Sequence, residues 1–162
     1  MFRHLLKKDD QTSLASELEV ENFSITHLDA ILDIEKEANP TPWSKKTFEN
    51  ILNKRSMSFV CLLKTQIIGF CIASEVLEEC HLQNISVKKD FRHKGVGRYM
   101  FGVLFQRSKL FGIKNTFLEV RESNYGARNF YDKLGFREIT KRDDYYKTRN
   151  GREAAVILRL TH

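Results

Sequence analysis

Arg92-His93-Lys94-Gly95-Val96-Gly97 is the stretch on which the fold turns. Behind it lies a short apolar run, Leu82 to Val87, that reads as a strand. Ahead of it, from Gly97 to Phe111, Tyr99, Met100, Val103, Leu104, Arg107 and Leu110 recur at helical spacing, and Gly112 ends the pattern. A turn of this kind brings the unpaired amides and positive dipole end of a helix start to one point, and its glycines let a ligand approach the backbone. Lys88, Lys89, Arg92, Lys94 and Arg98, with His93, surround the turn and face one acid, Asp90. A basic run alone reads as a solvated face, and two glycines alone as a tight turn. Together they predict that Arg92, His93, Lys94, Gly95, Val96, Gly97 and Arg98 hold a phosphate group. The Gly-Lys-Ser/Thr ending of a P-loop is missing, as is the third glycine of a dinucleotide fingerprint. ATP and NAD are therefore disfavoured as the guest.

Outward from this turn the pattern stays regular. Ser58 to Lys64, Ile67 to Val76 and Leu82 to Val87 follow one another with short connections, which predicts an antiparallel meander. Val20 to Ile25 alternates as a first strand, and Leu28, Ile31, Leu32 and Ile34 place a helix over Thr26 to Ala38. Pro40 and Pro42 stop that helix, and Ser44 is the expected N-cap of another that runs through Ile51 and Leu52. After Gly112 come a strand (Thr116 to Arg121), a helix (Asn124 to Leu134, ended by Gly135) and two strands (Phe136 to Arg142 and Ala154 to Leu160). This order predicts an α/β fold of the α+β kind: a central, mostly antiparallel sheet of about seven strands flanked by about four helices. Residues 1–19 lack a clear period and are expected to form an N-terminal extension, with residues 20–162 a single domain.

Composition narrows the classes. A chain of 162 residues with 41% hydrophobic and 30% charged residues can bury a core of its own. No run approaches the ~20 apolar residues that cross a bilayer, and Met1 to Asp10 has no apolar h-region, so the expected location is the cytoplasm, with no membrane partner. Cys61, Cys71 and Cys80 form no CxxC pair and sit in or beside apolar runs. They are expected as buried thiols, neither disulfides nor metal ligands. The net charge of +6 suits a polyanionic ligand. A nucleic-acid partner is disfavoured, since no basic stripe interleaved with aromatics, zinc spacing or helix-turn-helix signal accompanies that charge.

The segment Arg92 to Gly97, opening a long helix, resembles the acetyl-CoA pyrophosphate loop of the GNAT superfamily. Asn84-Ile85-Ser86-Val87 resembles the strand before that loop, and Leu118 to Asn124 with Ala127 to Phe136 resembles the strand and helix after it. Asn124-x-x-Ala127-x-x-x-Tyr131-x-x-x-Gly135-Phe136 is the most specific phrase, and the likeness covers about residues 20–160. Pro42-Trp43-Ser44, Tyr145-Tyr146 and Gly151-Arg152-Glu153-Ala154 resemble the group within the superfamily that acetylates a ribosomal protein's N-terminal alanine. Arg92 stands where the superfamily often has Gln, and the extension has no counterpart.

The resemblance implies acetyl transfer from acetyl-CoA to a protein N-terminus, that of ribosomal protein S18 in this group. It also implies Glu119 as general base and Tyr131 as the acid for the departing thiolate. By alternation alone, Glu119 reads as an exposed charge paired with Arg121; by periodicity alone, Tyr131 is a core residue on the Ala127, Phe130, Leu134 stripe. Ile85, Ser86 and Val87 are implied as backbone partners of the pantetheine arm and acetyl group. Asn124 is either a cofactor contact or a helix N-cap. Trp43 and Tyr145 either line the acceptor site or cover the core. Other amine acceptors (a polyamine, an aminoglycoside, lysine, aminoacyl-tRNA) remain open, as does an acetyl-CoA-binding regulatory module without turnover.

Overall fold

Residues 12–52 and 57–162 are described by the computed structural model of the chain; the first eleven residues of the expected extension lie outside them. One helical turn, α1 (Thr12–Ala15), precedes β1 (Leu18–Asn22). The strand starts two residues ahead of the expected Val20 because Leu18 pairs with Leu63 and is buried. A 3-10 turn leads into α2 (Leu28–Ala38), whose stripe of Leu28, Ile31 and Ile34 faces inward. Next comes α3 (Lys45–Leu52), where the Ser44 hydroxyl accepts the Thr47 N–H at 3.2 Å as the capping reading requires. The strands β2 (Phe59–Leu63), β3 (Gln66–Val76) and β4 (Glu79–Val87) follow, then α4 (Val96–Leu110), β5 (Asn115–Arg121), α5 (Tyr125–Lys133), β6 (Arg137–Thr148) and β7 (Gly151–Thr161).

Together the strands form a seven-stranded mixed sheet in the order β1-β2-β3-β4-β5-β7-β6. The β1–β2, β2–β3, β5–β7 and β6–β7 ladders are antiparallel; β4 and β5 run parallel, from Glu79↔Asn115 to Leu82↔Leu118. That parallel pairing draws Glu79 to His81 into β4, three residues before its expected start. β6 reaches Thr148, six residues past its expected end, because its exposed polar residues offer no alternation to read while β7 still supplies partners as far as Thr148↔Gly151.

Two compact units divide the described chain. The first comprises the described residues up to Ile72 and Asn84–Phe105. Its core joins α2, α3, β2 and β3 through Leu28, Ile31, Ile34, Phe48, Val60, Leu62, Phe70 and Ile72. Each such side chain stabilises the fold by about 1.5–3 kcal/mol through burial. Phe48 stands edge-on to Phe70, ring centres 5.7 Å apart. The second unit comprises Ala73–Gln83 and Gln106–His162. There β5 alternates strictly: Thr116, Leu118 and Val120 point into the core, while Phe117, Glu119 and Arg121 share the opposite, partly open face. All three cysteines are buried free thiols, as the apolar runs around them predict. Among the described residues no helix is long and apolar enough to cross a membrane.

Candidate active site

On the open face of β5, Glu119 accepts a hydrogen bond from Arg142 of β6, Oε1 to Nη1 at 2.7 Å. This corrects the expected partner, Arg121. Because β7 runs antiparallel to β5 with Ala155 opposite Arg121, Glu153 lies two residues along on the same face, and the Arg121 guanidinium goes to it at 2.8 Å. Arg121 also donates to the Lys147 carbonyl and stacks over Tyr146, 4.4 Å from the ring centre. The Arg142 side chain is 57% exposed, and a pair so open to water is worth about 0–1 kcal/mol. Arg142 therefore orients Glu119 without locking it. Two phenols complete the group, their rings edge-to-face at 5.0 Å. A hydrogen bond to Glu119 raises the Tyr145 phenol above its ordinary pKa, with burial adding to the shift. Burial, then the Glu119 charge, pushes Tyr146 up to about 12. Both phenols stay protonated at neutral pH and offer donors to a carboxylate or a carbonyl.

Tyr131, in the last turns of α5, is 8% exposed. Its ring meets Phe130 at 5.4 Å and Phe136 at 5.5 Å, and its carbonyl accepts the Phe136 N–H. Burial is what the apolar stripe dictates, and it also shields a phenol from competing water. Asn124 caps α5, its side-chain oxygen accepting the Ala127 N–H at 3.1 Å. That bond realises the capping alternative for Asn124. Glu119, Asn124, Tyr131 and Tyr145 thus all belong to the second unit.

The expected phosphate segment belongs to the first unit, with Ile85, Ser86, Val87 and Trp43. After a 3-10 turn over Lys89–Phe91, the backbone becomes left-handed at His93 (φ 60°) and Gly95 (φ 83°) before α4 starts at Val96. A residue without a side chain suits Gly95, whereas His93 holds a conformation that costs a non-glycine residue stability and marks a shaped loop. Lys94 lies 5.7 Å from the Phe91 ring centre, and Arg98 extends from the first turn of α4. Arg92 donates from Nε to the Val87 carbonyl at 2.9 Å, which ties the loop to the end of β4. Its Nη2 is buried without a hydrogen-bond partner. Leaving such a donor unmet costs about 1–3 kcal/mol, more where the group is charged. The segment Ile85–Val87 lies past Leu82, where the β4–β5 ladder ends among the described residues. Strand backbone of this kind can take an extended arm as a further strand. No group of three or more His, Cys, Asp or Glu side chains able to hold a metal occurs among the described residues.

Sequence reasoning missed Glu35. It occupies a core position of α2, fully buried, and accepts three N–H donors: Asn39 Nδ2 and the Trp43 backbone at Oε1, Asn84 Nδ2 at Oε2, each at 3.0 Å. A carboxylate in register with Leu28 and Ile31 was the available signal. Trp43, partly buried, packs on Phe48, ring centres 5.5 Å apart. Glu153 and Arg142 were missed because their partners come from other strands.

Residues 28–136 match the family model described as the acetyltransferase (GNAT) family. The chain is 37% identical over 141 residues to the [ribosomal protein bS18]-alanine N-acetyltransferase of Escherichia coli K12, covering 87% of this chain and 95% of that protein. The enzyme of the same name from Haemophilus influenzae is 37% identical over 147 residues, covering 90% and 97%. The crystal structure of the Escherichia coli ribosomal-protein-S18-alanine N-acetyltransferase superposes with a TM-score of 0.84 at 36% identity, covering 89% of this chain and 93% of that one.

Proposed function

This chain belongs to the GNAT family of acetyltransferases, and from that premise we propose that it acetylates, in the cytoplasm, the N-terminal alanine of ribosomal protein S18. It is an acetyl-CoA-dependent N-acetyltransferase. The observation that carries the acceptor is the likeness along almost the whole length of the S18-alanine enzymes of two bacteria.

An N-terminal amine has a pKa of about 7.7–8.0, against about 10.4 for lysine, so a carboxylate working through water suffices to deprotonate it. Glu119 is the group for this step: it projects from the open face of β5 and is held by the weak, exposed Arg142 contact. Tyr145, hydrogen-bonded to Glu119, and Trp43 are the proposed acceptor contacts. Bound acetyl-CoA supplies a thioester. The amine nitrogen bonds to the acetyl carbon, the carbon–sulfur bond breaks, the Tyr131 hydroxyl gives its proton to the sulfur, and Glu119 takes the amine proton. Backbone amides of Ile85 to Val87 receive the carbonyl oxygen, and Arg92 to Arg98 hold the phosphates.

Kinetics of Glu119→Gln and Tyr131→Phe with an alanine-initiated peptide test these roles. Each variant is expected to lose about 10²–10⁴-fold in kcat with acetyl-CoA binding retained. Wild-type kcat in both folded variants would remove both assignments.

A further inference from the structure

The fully buried carboxylate of Glu35 has no part in the chemistry above, and its surroundings are unusual for a core position. Taking a carboxylate out of water costs several kcal/mol unless hydrogen bonds replace the lost hydration. An apolar residue would fill the same place on α2 at no such cost. Three N–H donors meet it instead, and they come from two separate places. Asn39 and the Trp43 backbone belong to the loop after α2, the loop that carries Trp43. Asn84 belongs to β4, one residue before Ile85, and its Oδ1 in turn accepts the Ser86 hydroxyl at 3.1 Å. Beside this chain of bonds, Glu37 of the same helix accepts the backbone N–H of Lys89 at 2.9 Å, in the turn that leads to the phosphate loop. All these residues lie within the first unit.

We infer that Glu35 is a positioning residue that fixes the Trp43 loop, which faces the acceptor, against the β4 segment that receives the acetyl group. This deepens the proposed function and rests on its acceptor reading. Glu35 touches no reacting atom. It sets where Trp43 stands relative to Asn84–Val87, so the amine meets a pre-formed site. The donor set explains the choice of a carboxylate: Oε1 accepts from the loop and Oε2 from β4, and no neutral side chain of that size accepts on both.

The lone tryptophan makes this testable without turnover, because Trp43 fluorescence reports on the loop itself. Three variants are compared with wild type: Glu35→Leu, Asn84→Asp, which sets two carboxylates against each other, and Glu35→Gln with Asn84→Asp, which restores the bond with donor and acceptor exchanged. For Glu35→Leu and Asn84→Asp, acrylamide quenching of Trp43 should rise and the KM for an alanine-initiated peptide should increase at least about tenfold. Their acetyl-CoA Kd should stay within about threefold. The double variant should return to within about threefold of wild type in both quenching and KM. Should Glu35→Leu fail to fold, the other two decide. Unchanged quenching and KM in a folded Asn84→Asp protein would overturn the inference, as would a double variant no better than Asn84→Asp alone. Failure of the wild type to acetylate the peptide would remove the acceptor, and the quenching series would still decide the role of Glu35.

Discussion

Glu119 and its neighbours show what a single residue can and cannot announce. That Glu119 stands on the open face of β5 follows from alternation alone, but its partner does not, because Arg142 arrives from a strand 23 positions on. Glu153 is held more firmly, by Arg121 and the Ser123 N–H. Hydrogen bonds from Ser123, then Arg121, keep its carboxyl below the ordinary value of 4.5. The folded state therefore prefers the ionised form, and this contribution is complete above the unfolded pKa and disappears as pH falls through the lower folded one. The melting-temperature gap between wild type and Glu153→Gln should be widest near neutral pH and close below about pH 4. A gap that is constant with pH would contradict the assignment. The buried thiols give a second check. Burial pushes Cys61 up to about 12 and Cys80 up to about 11, so neither supplies thiolate at pH 8. A thiol-reactive disulfide reagent should label the native protein slowly and the unfolded protein at all three cysteines; rapid labelling of the native protein would overturn this.

At the scale of elements, the helices were legible because apolar residues recur with period 3.6 and their ends carry readable caps, Ser44 for α3 and Asn124 for α5. The strand ends were not. β4 gains its first residues from a parallel partner, and the outer half of β6 is polar on both faces, so pairing decides both. Two glycines separate packing from propensity. A Cβ on Gly69 of β3 would lie 2.8 Å from the Met100 sulfur and 2.9 Å from the Ser86 carbonyl, whereas one on Gly102 in α4 meets nothing within 4 Å. Gly69→Ala should cost about 1–3 kcal/mol and weaken acetyl-CoA binding by displacing Ser86. Gly102→Ala should stabilise by up to about 1 kcal/mol. Thermal melting of both variants checks the pair, and the same sign of change in the two would contradict it.

For the whole molecule, the mixed sheet with helices was readable from the order of elements, and the glycine-bearing turn ahead of α4 from the break between strand and helix patterns. Glu35 showed only its register on the buried stripe of α2, and its donors come from the following loop and from β4, 49 positions on. Of the excess positive charge, Arg92 is the residue proposed to meet the phosphates. Acetyl-CoA at about 100 times its Kd should stabilise the protein by about 2.7 kcal/mol, a rise of about 5–10 °C in melting temperature. Arg92→Ala should show less than half of that rise at the same concentration.

The central claim is the transfer of acetyl to an α-amine, and one measurement meets it directly. The protein is incubated with acetyl-CoA and two basic peptides, one with a free N-terminal alanine and one N-terminally blocked but carrying lysines, and the products are located by mass spectrometry. The account predicts acetyl on the free alanine alone, strongly slowed in Glu119→Gln. Acetyl on the lysines of the blocked peptide, with the free alanine untouched, would contradict it.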